Sequence, residues 1–245
     1  MPSSSRGPRC CNSGPIPRSH AATLPPLKLP LHALLLTTAV GAAAADSAPV
    51  LVSRTGGGGG TWADLAELEA AAAKGEPRAL SHLGDMLVRG DGVTKDEARG
   101  LALLERAARQ GQGGAAFRLG MLLTQGEGGA ARDPARALAY FRAAAAAGEA
   151  EAFFNLGAAH ANGNGVRRNY AEALGWLIVA RERGVHAEAE RQLREQIKAY
   201  PRWIETGERR AREIAAEFKD RAPADFLPPA APLDRVFDAL RPAAP

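Results

Sequence analysis

Apolar residues between positions 61 and 221 recur three and four residues apart, which is the spacing of amphipathic helices rather than of strands. The same apolar positions return at intervals of 36 or 37 residues in three successive stretches. The aligned triplets are Leu101, Leu104 and Ala107, then Leu138, Phe141 and Ala144, then Leu174, Leu177 and Ala180. This interval predicts one helix pair per unit, stacked on its neighbours because a single unit cannot bury its own apolar face.

Glycines and cap residues keep the same register. Gly84, Gly120 and Gly157 each follow a leucine inside the first helix pattern of a unit. Gly costs about 1 kcal/mol relative to Ala within a helix, so its return in all three units needs a structural reason. We expect the second helix of each unit to pass there too closely for a side chain. The turn glycines of the three units are Gly92, Gly128 and Gly165, and the predicted N-cap residues are Asp96, Asp133 and Asn169. The second loop is one residue longer and should differ in shape.

The register divides the chain into units. We predict an all-α fold, in which residues 61–221 form a right-handed α/α superhelical solenoid. A capping box at Thr61 and Asp64 should begin its first helix. A cap helix over 61–75 precedes repeats over about 76–111, 112–148 and 149–184, and a degenerate C-terminal cap covers 185–221. Leu193 occupies the leucine position of a fourth copy, but no glycine follows it.

The repeat resembles the Sel1-like branch of tetratricopeptide-like proteins. The resemblance rests on the Leu-Gly pairs, the loops Gly90 to Val93 and Gly163 to Val166, and the run Ala173 to Leu177. It implies a superhelix that assembles other proteins, often in the bacterial envelope. A cysteine-rich secreted branch linked to penicillin binding is not supported, because the paired cysteines of its repeats are missing.

Residues 1–45 have the order of a secretory signal peptide: a basic segment, an apolar run and small residues. The apolar run from Leu29 to Ala45 contains Pro30 and His32, and it is shorter than the ~20 residues that a membrane-spanning helix needs. We therefore predict cleavage near Ala45 and a protein in the periplasm or outside the cell. The alternative is an uncleaved anchor that holds a periplasmic component at the membrane.

The formal net charge of +4 belongs to this leader. After residue 45 the chain carries 27 basic and 27 acidic residues, and such a neutral body lacks the positive excess that binds phosphate backbones or anionic membranes. We expect another protein or peptide as partner, no nucleic acid, and no membrane beyond the signal segment. Both cysteines, Cys10 and Cys11, lie in the leader, so the rest of the chain can form no disulfide or thiolate metal site.

No residues after the leader have the spacing of a catalytic or metal site. His82, His160 and His186 occupy different repeat positions, whereas zinc needs three or four converging ligands. The glycine run over 56–60 lacks the Lys-Ser or Lys-Thr of a phosphate-binding loop, and we interpret residues 46–60 as a flexible linker. We expect no metal, no cofactor and no enzymatic activity. The rival function is that of a peptidoglycan hydrolase or transferase of the envelope.

The first helices supply the candidate binding surface. If each leucine-glycine pair faces the core, the residues two before and two and six after the leucine should line the concave groove. These residues are Ser81, Asp85, Arg89, Phe117, Met121, Gln125, Phe154, Ala158 and Asn162. Phe117 and Phe154 either anchor a partner peptide or are buried between neighbouring first helices, and the sequence leaves both possibilities open.

Residues 222–245 are rich in Pro and Ala and should be mostly extended, apart from one amphipathic segment. Its apolar residues, at i, i+3, i+4 and i+7, are Leu233, Val236, Phe237 and Leu240. A helix of this length is marginal on its own. The segment either docks on its own C-terminal cap or serves as a linear motif for the groove of a partner.

Overall fold

The computed structural model describes residues 62–219 and 221–228, and within these ranges nine α-helices and one short 3-10 helix follow each other without a strand. The leader 1–45, the linker 46–60 and the amphipathic segment from Leu233 to Leu240 lie outside the described residues. The helices are α1 (Leu65–Ala73), α2 (Pro77–Arg89), α3 (Glu97–Arg109), α4 (Gly113–Gln125), α5 (Pro134–Ala146), α6 (Ala150–Asn162), α7 (Tyr170–Glu182), α8 (Ala187–Gln196), α9 (Pro201–Glu217) and the 3-10 helix (Pro223–Phe226). None of these helices is long and apolar enough to cross a bilayer.

Three helix pairs form the body of the molecule. Helix α2 packs extensively on α3, α4 on α5 and α6 on α7, and each pair packs on the next through α3 and α4 or α5 and α6. The second-helix triplets predicted as core are buried, except that Leu101 and Leu138 are partly exposed. The all-α solenoid of stacked helix pairs is therefore confirmed.

The glycines within the first helices mark the points of closest approach. A Cβ atom on Gly84 would lie 2.9 Å from the backbone oxygen of Gly100, and one on Gly120 would lie 2.7 Å from the Phe141 ring. A Cβ on Gly157 would lie 2.8 Å from Cγ of Leu177. No side chain fits at these distances, so the expected close packing of the second helix is confirmed.

The second helices begin at the predicted cap residues. The Asp96, Asp133 and Asn169 side chains accept hydrogen bonds from the backbone N–H three residues later, at 3.0, 2.9 and 3.1 Å. These bonds satisfy N–H groups that have no partner within the helix. For α1 the predicted capping box is shifted: Asp64 is the N-cap itself and accepts from the Glu67 N–H at 2.8 Å.

The second loop differs from the other two, as its length indicates. Gly128 and Gly129 are consecutive residues with positive φ, +61° and +75°, where an L side chain would be strained. A Cβ on Gly128 would also lie 2.6 Å from Val88 of the preceding repeat. The loop therefore packs back onto that repeat.

The last helix departs from the repeat. Arg194 stands where the three repeats have a glycine after the leucine, and it bridges Glu190 at 2.7 Å and Glu208 at 3.0 Å. Because α8 has no small residue there, α9 packs chiefly on α7 instead. A Cβ on Gly207 would lie 2.8 Å from Leu174. Helix α7 is thus enclosed between α6 and α9, and ten of its thirteen residues are buried.

Candidate protein-binding surface

The nine predicted groove residues define what we call the first-helix face, the corresponding side of α2, α4 and α6. Seven of them are exposed or half-buried, whereas Phe154 and Ala158 are buried. The face is therefore open over α2 and α4 and closed over part of α6. Asn162, at the end of α6, remains half-buried.

Over α2 the face is charged. The Arg118 Nε atom on α4 donates to Oδ1 of Asp85 on α2 at 2.7 Å, and Arg89 also pairs with Asp85. The Nε atom of Arg89 lies 3.1 Å from the Asp91 carboxylate. These ion pairs connect two successive first helices. They place charges of both signs beside the α4 side chains.

His82 lies near this charged group and was not predicted to belong to the face. Its ring stacks on Trp62 with the centroids 5.9 Å apart. Burial lowers the pKa of His82; the Asp85 charge acts against this shift and the Arg89 charge adds to it. The imidazole is therefore neutral at pH 7. The charges in this region are those of Asp85 and Arg89.

Over α4 the face is apolar. Phe117 and Met121 are half-buried and pack against the core with one side. The Phe117 ring lies 5.8 Å from the Phe141 ring at an angle of 60°. The inner side of Phe117 thus packs on the core, while part of the ring stays accessible.

Over α6 the expectation of an open groove is wrong for two residues. Phe154 is only 4% exposed because the His186 ring stacks on it with the centroids 4.0 Å apart. The Nε2 atom of His186 lies 2.6 Å from the Glu151 carboxylate, which holds the imidazole in place. Ala158 has no exposed surface. The turn that precedes α8 therefore closes this part of the face, and Phe154 belongs to the core.

The third histidine, His160, lies away from this face. Its ring runs nearly parallel to that of Trp176 at 6.5 Å, and burial lowers its pKa. Among the described residues no group of three His, Cys, Asp or Glu side chains is placed to hold a metal ion. What the first-helix face offers is an apolar patch bordered by ion pairs, which is suited to binding a polypeptide.

Comparison with known proteins identifies the repeats. The Sel1 repeat family model matches residues 77–112, 114–149 and 150–185, and the search of curated proteins gave no match. The chain is 36% identical to c5321, a protective antigen present in uropathogenic Escherichia coli strains and displaying an SLR fold, over 49% of this chain and 26% of that one, with a TM-score of 0.47. It is 28% identical to a Sel1 repeat protein from Oxalobacter formigenes, over 63% and 62% of the two chains, with a TM-score of 0.49. The chain thus spans less than two thirds of either protein.

The three matched ranges coincide with the pairs α2–α3, α4–α5 and α6–α7. Each range contains one leucine-glycine pair, one glycine turn and one Asp or Asn cap. Sel1 repeats are generally protein–protein interaction modules. Residues 77–185 are therefore an array of three Sel1 repeats.

Proposed function

We propose that this protein is a scaffold or adaptor of the bacterial envelope that binds a partner protein or peptide on its first-helix face without turning over a substrate. The observation that carries the proposal is the half-buried pair Phe117 and Met121 on α4 beside the Asp85–Arg118 ion pair. An apolar centre with a polar border is the usual arrangement of a protein interface.

We propose α2 and α4 as the main part of the site, because much of the α6 part of the face is buried. Phe154 and Ala158 are buried and supply no contact surface. In this proposal Ser81, Gln125 and the Asp85–Arg89 pair supply the polar border of the two apolar side chains. Asn162 extends this border at the end of α6.

The same geometry indicates the chemistry of the partner. Phe117 and Met121 fit an apolar side chain, and Met adapts to varied shapes. Asp85 and Arg118 keep 25% and 32% of their side-chain surface exposed, so a partner can exchange hydrogen bonds with both charges. We therefore propose a peptide segment with one apolar anchor flanked by charged residues.

The expected signal peptide is the basis for proposing the envelope as the place of action. Residues 1–45 have the pattern of a secretory signal, and the only cysteines lie within them. The intact mass of the protein purified from its host tests this part of the proposal. A species that begins near Asp46 supports export and release, whereas the uncleaved mass supports the anchored alternative.

Affinity capture from the host envelope with mass spectrometry tests the binding proposal. The wild-type protein should retain a partner that the variant with Phe117→Ser and Met121→Ser loses. Leu103→Ser is the matched control, because Leu103 is also half-buried but lies on a second helix. Equal retention by all three proteins contradicts the first-helix face as the site.

The enzymatic rival has its own test. The purified protein is assayed for muropeptide cleavage and for acylation by penicillin. The proposal requires neither activity. Turnover that a substitution within residues 62–219 abolishes would contradict it.

A further inference from the structure

A cleft of about 470 Å³ lies between α5, α6, the loop after α6 and the segment that follows α9. We call it the C-terminal cleft. The residues that line it include Leu138, Arg142, Leu156, His160, Val166 and Phe226. Pockets that bind small ligands have volumes of about 300–1,000 Å³. The cleft is therefore large enough for a small organic molecule or for the end of a peptide.

Part of this lining is apolar. Leu156 is fully buried at the base, whereas Leu138, Val166 and Phe226 are half-buried. The Phe226 ring stacks on Phe218 with the centroids 4.8 Å apart, and the short helix that carries it packs on α5. An apolar group of a ligand can lose its contact with water between these side chains.

Arg142 supplies a positive charge to the cleft. Its side chain is half-buried, and its Cζ atom lies 5.9 Å from the centroid of the Trp176 ring. No carboxylate in the described part of the chain forms an ion pair with it. The equivalent residues of the first and third repeats are Glu105 and Ile178, and both are buried. The second repeat thus places an unpaired guanidinium where the other repeats have buried side chains.

Both acidic residues that the structure places in the cleft have partners other than Arg142. The Glu217 carboxylate lies 3.9 Å from Nη1 of Arg221, and Asp225 accepts a hydrogen bond from the Ala222 N–H at 3.1 Å. A ligand anion would therefore find the Arg142 guanidinium without a competing carboxylate. The two nearby acids disfavour a ligand with more than one negative charge.

His160 adds a second unpaired polar group. Burial lowers the pKa of its ring, and the Arg142 charge adds to this shift against the Glu172 charge, so the imidazole is neutral at pH 7. The Nδ1 atom is buried and has no hydrogen-bond partner among the described residues. Because orphaned buried N–H groups are rare, the proton belongs on Nε2, at the outer edge of the ring that lines the cleft. Leu87 and Leu123 stand at this position in the other repeats, so the donor is specific to the third repeat.

We propose that the C-terminal cleft binds a monocarboxylate that carries an apolar group beside the carboxylate. Arg142 and the Nε2–H of His160 donate to the carboxylate oxygens, and charge-assisted hydrogen bonds of this kind are about twice as strong as neutral ones. Leu138, Val166 and Phe226 contact the apolar group. A small organic acid and the C-terminal residue of a polypeptide both have this chemistry.

This site is separate from the proposed partner site. It is formed by α5, the far end of α6 and residues 217–226, whereas the main part of the partner site lies on α2 and α4. The variant with Phe117→Ser and Met121→Ser should therefore bind the carboxylate as the wild type does. Failure of either proposal leaves the other standing.

An NMR titration of the full chain, labelled with ¹⁵N, tests the proposal. The probe is N-acetylphenylalanine, and its amide is the control ligand, because it has the same apolar group without the charge. We expect the acid to shift the resonances of the His160 ring and the Trp176 indole, and the amide to bind about tenfold more weakly or worse. Before any probe is added, the ¹⁵N shifts of His160 should show the proton on Nε2.

A second pair of probes distinguishes the two sources of the carboxylate. It consists of an acetylated Ala-Ala-Phe tripeptide with a free C-terminus and the same tripeptide with an amidated one. Tighter binding of the free tripeptide than of N-acetylphenylalanine supports the end of a polypeptide as the ligand. Weaker binding supports a small organic acid.

Three variants sharpen the result. Arg142→Gln should weaken binding of the acid about tenfold or more, because it removes the charged donor. Arg202→Gln is the matched control: Arg202 is exposed on α9 outside the cleft, and the change should be less than about twofold. His160→Leu, which introduces the leucine of the other repeats, should weaken binding about threefold or more.

Four outcomes would overturn the proposal: no binding of the acid, equal binding of acid and amide, an affinity unaffected by Arg142→Gln, or a proton on Nδ1 of His160. The ¹⁵N spectrum of each variant shows whether it is folded, so a loss of binding through unfolding is recognised.

Discussion

Phe117 and Phe154 occupy the same position in successive repeats, yet one ring is half-exposed and the other is buried. Both rings lie on a first helix, and the glycine three residues later is equally close-packed in each case. The difference comes from the next unit. His186, just before α8, stacks on Phe154, whereas the equivalent residue after Phe117, Glu149, extends along Gly113 at the start of α4.

The backbone explains why only His186 reaches over the ring. His186 has φ +50°, a left-handed conformation that L side chains rarely adopt, whereas Glu149 has φ −70° in an extended conformation. The Glu151 carboxylate then fixes the imidazole. Whether the side chain at this repeat position is accessible or buried thus depends on the turn that follows, and not on its own residue type.

The largest expected effect is on the free energy of unfolding, and it should differ between the two phenylalanines. Phe154→Ala should destabilise the fold by about 3–5 kcal/mol, because it removes a fully packed ring. Phe117→Ala should cost about 1–2 kcal/mol, since only part of its surface is buried. Urea unfolding of both variants measures the difference. Equal losses would mean that the two rings are buried alike.

A second test checks that the scaffold beneath the two rings is the same. Gly120→Ala and Gly157→Ala should each cost about 1–3 kcal/mol, because the added methyl group would meet Phe141 or Leu177 at less than 3 Å. Gly114→Ala on α4 is the control. Its Cβ would meet nothing closer than 3.9 Å, so Ala should be neutral or stabilise by up to about 1 kcal/mol. Thermal unfolding of the three variants gives the ranking.

Substitution of His186 should expose the Phe154 ring, on which its imidazole stacks. His186→Ala should destabilise by about 1 kcal/mol through loss of the ring contact while keeping the strained backbone. His186→Gly loses the same contact but relaxes the left-handed residue, so it should be more stable than His186→Ala by about 1 kcal/mol. Chemical denaturation of both proteins measures these differences, and a His186→Gly variant less stable than His186→Ala would refute the role of the backbone.

The smallest effect concerns pH. His160 on α6 stands where α4 has Leu123, and burial lowers its pKa in the folded protein. The unfolded chain therefore binds a proton more readily, and stability from this group should fall as the pH drops through the ordinary histidine range near 6.5. His160→Leu should lose less stability than the wild type between pH 7.5 and 5.5. An equal loss in urea unfolding would contradict this source of acid sensitivity.

The repeats were predictable because their determinants are local. The cap at Asp96, Asp133 or Asn169 depends on one side chain and an N–H three residues away, and the close glycines follow from their cost in a helix. The predicted capping box at Thr61 and Asp64 was wrong because Asp64 and Glu67 repeat the same spacing three residues later, and this spacing alone does not show which pair begins the helix.

Two features that the sequence did not predict depend on contacts between units: the burial of Phe154 and the packing of α9 on α7. The burial of Phe154 requires the left-handed turn at His186, and only a few per cent of non-glycine residues adopt such a backbone. The packing of α9 on α7 was signalled by Arg194 in the glycine position and by the even distribution of apolar residues around α7. A helix that is apolar on all sides is enclosed on more than one side.

Affinity and stability measured together for Phe117→Ala decide whether the first-helix face binds the partner. With the partner identified by capture, we expect Kd to rise about 30-fold or more, as an interface anchor worth about 2 kcal/mol requires, while the protein stays folded at the assay temperature. His186→Ala, which leaves the α4 patch intact, should bind with an unchanged Kd. Unchanged affinity of Phe117→Ala would contradict the assignment of the first-helix face as the binding site.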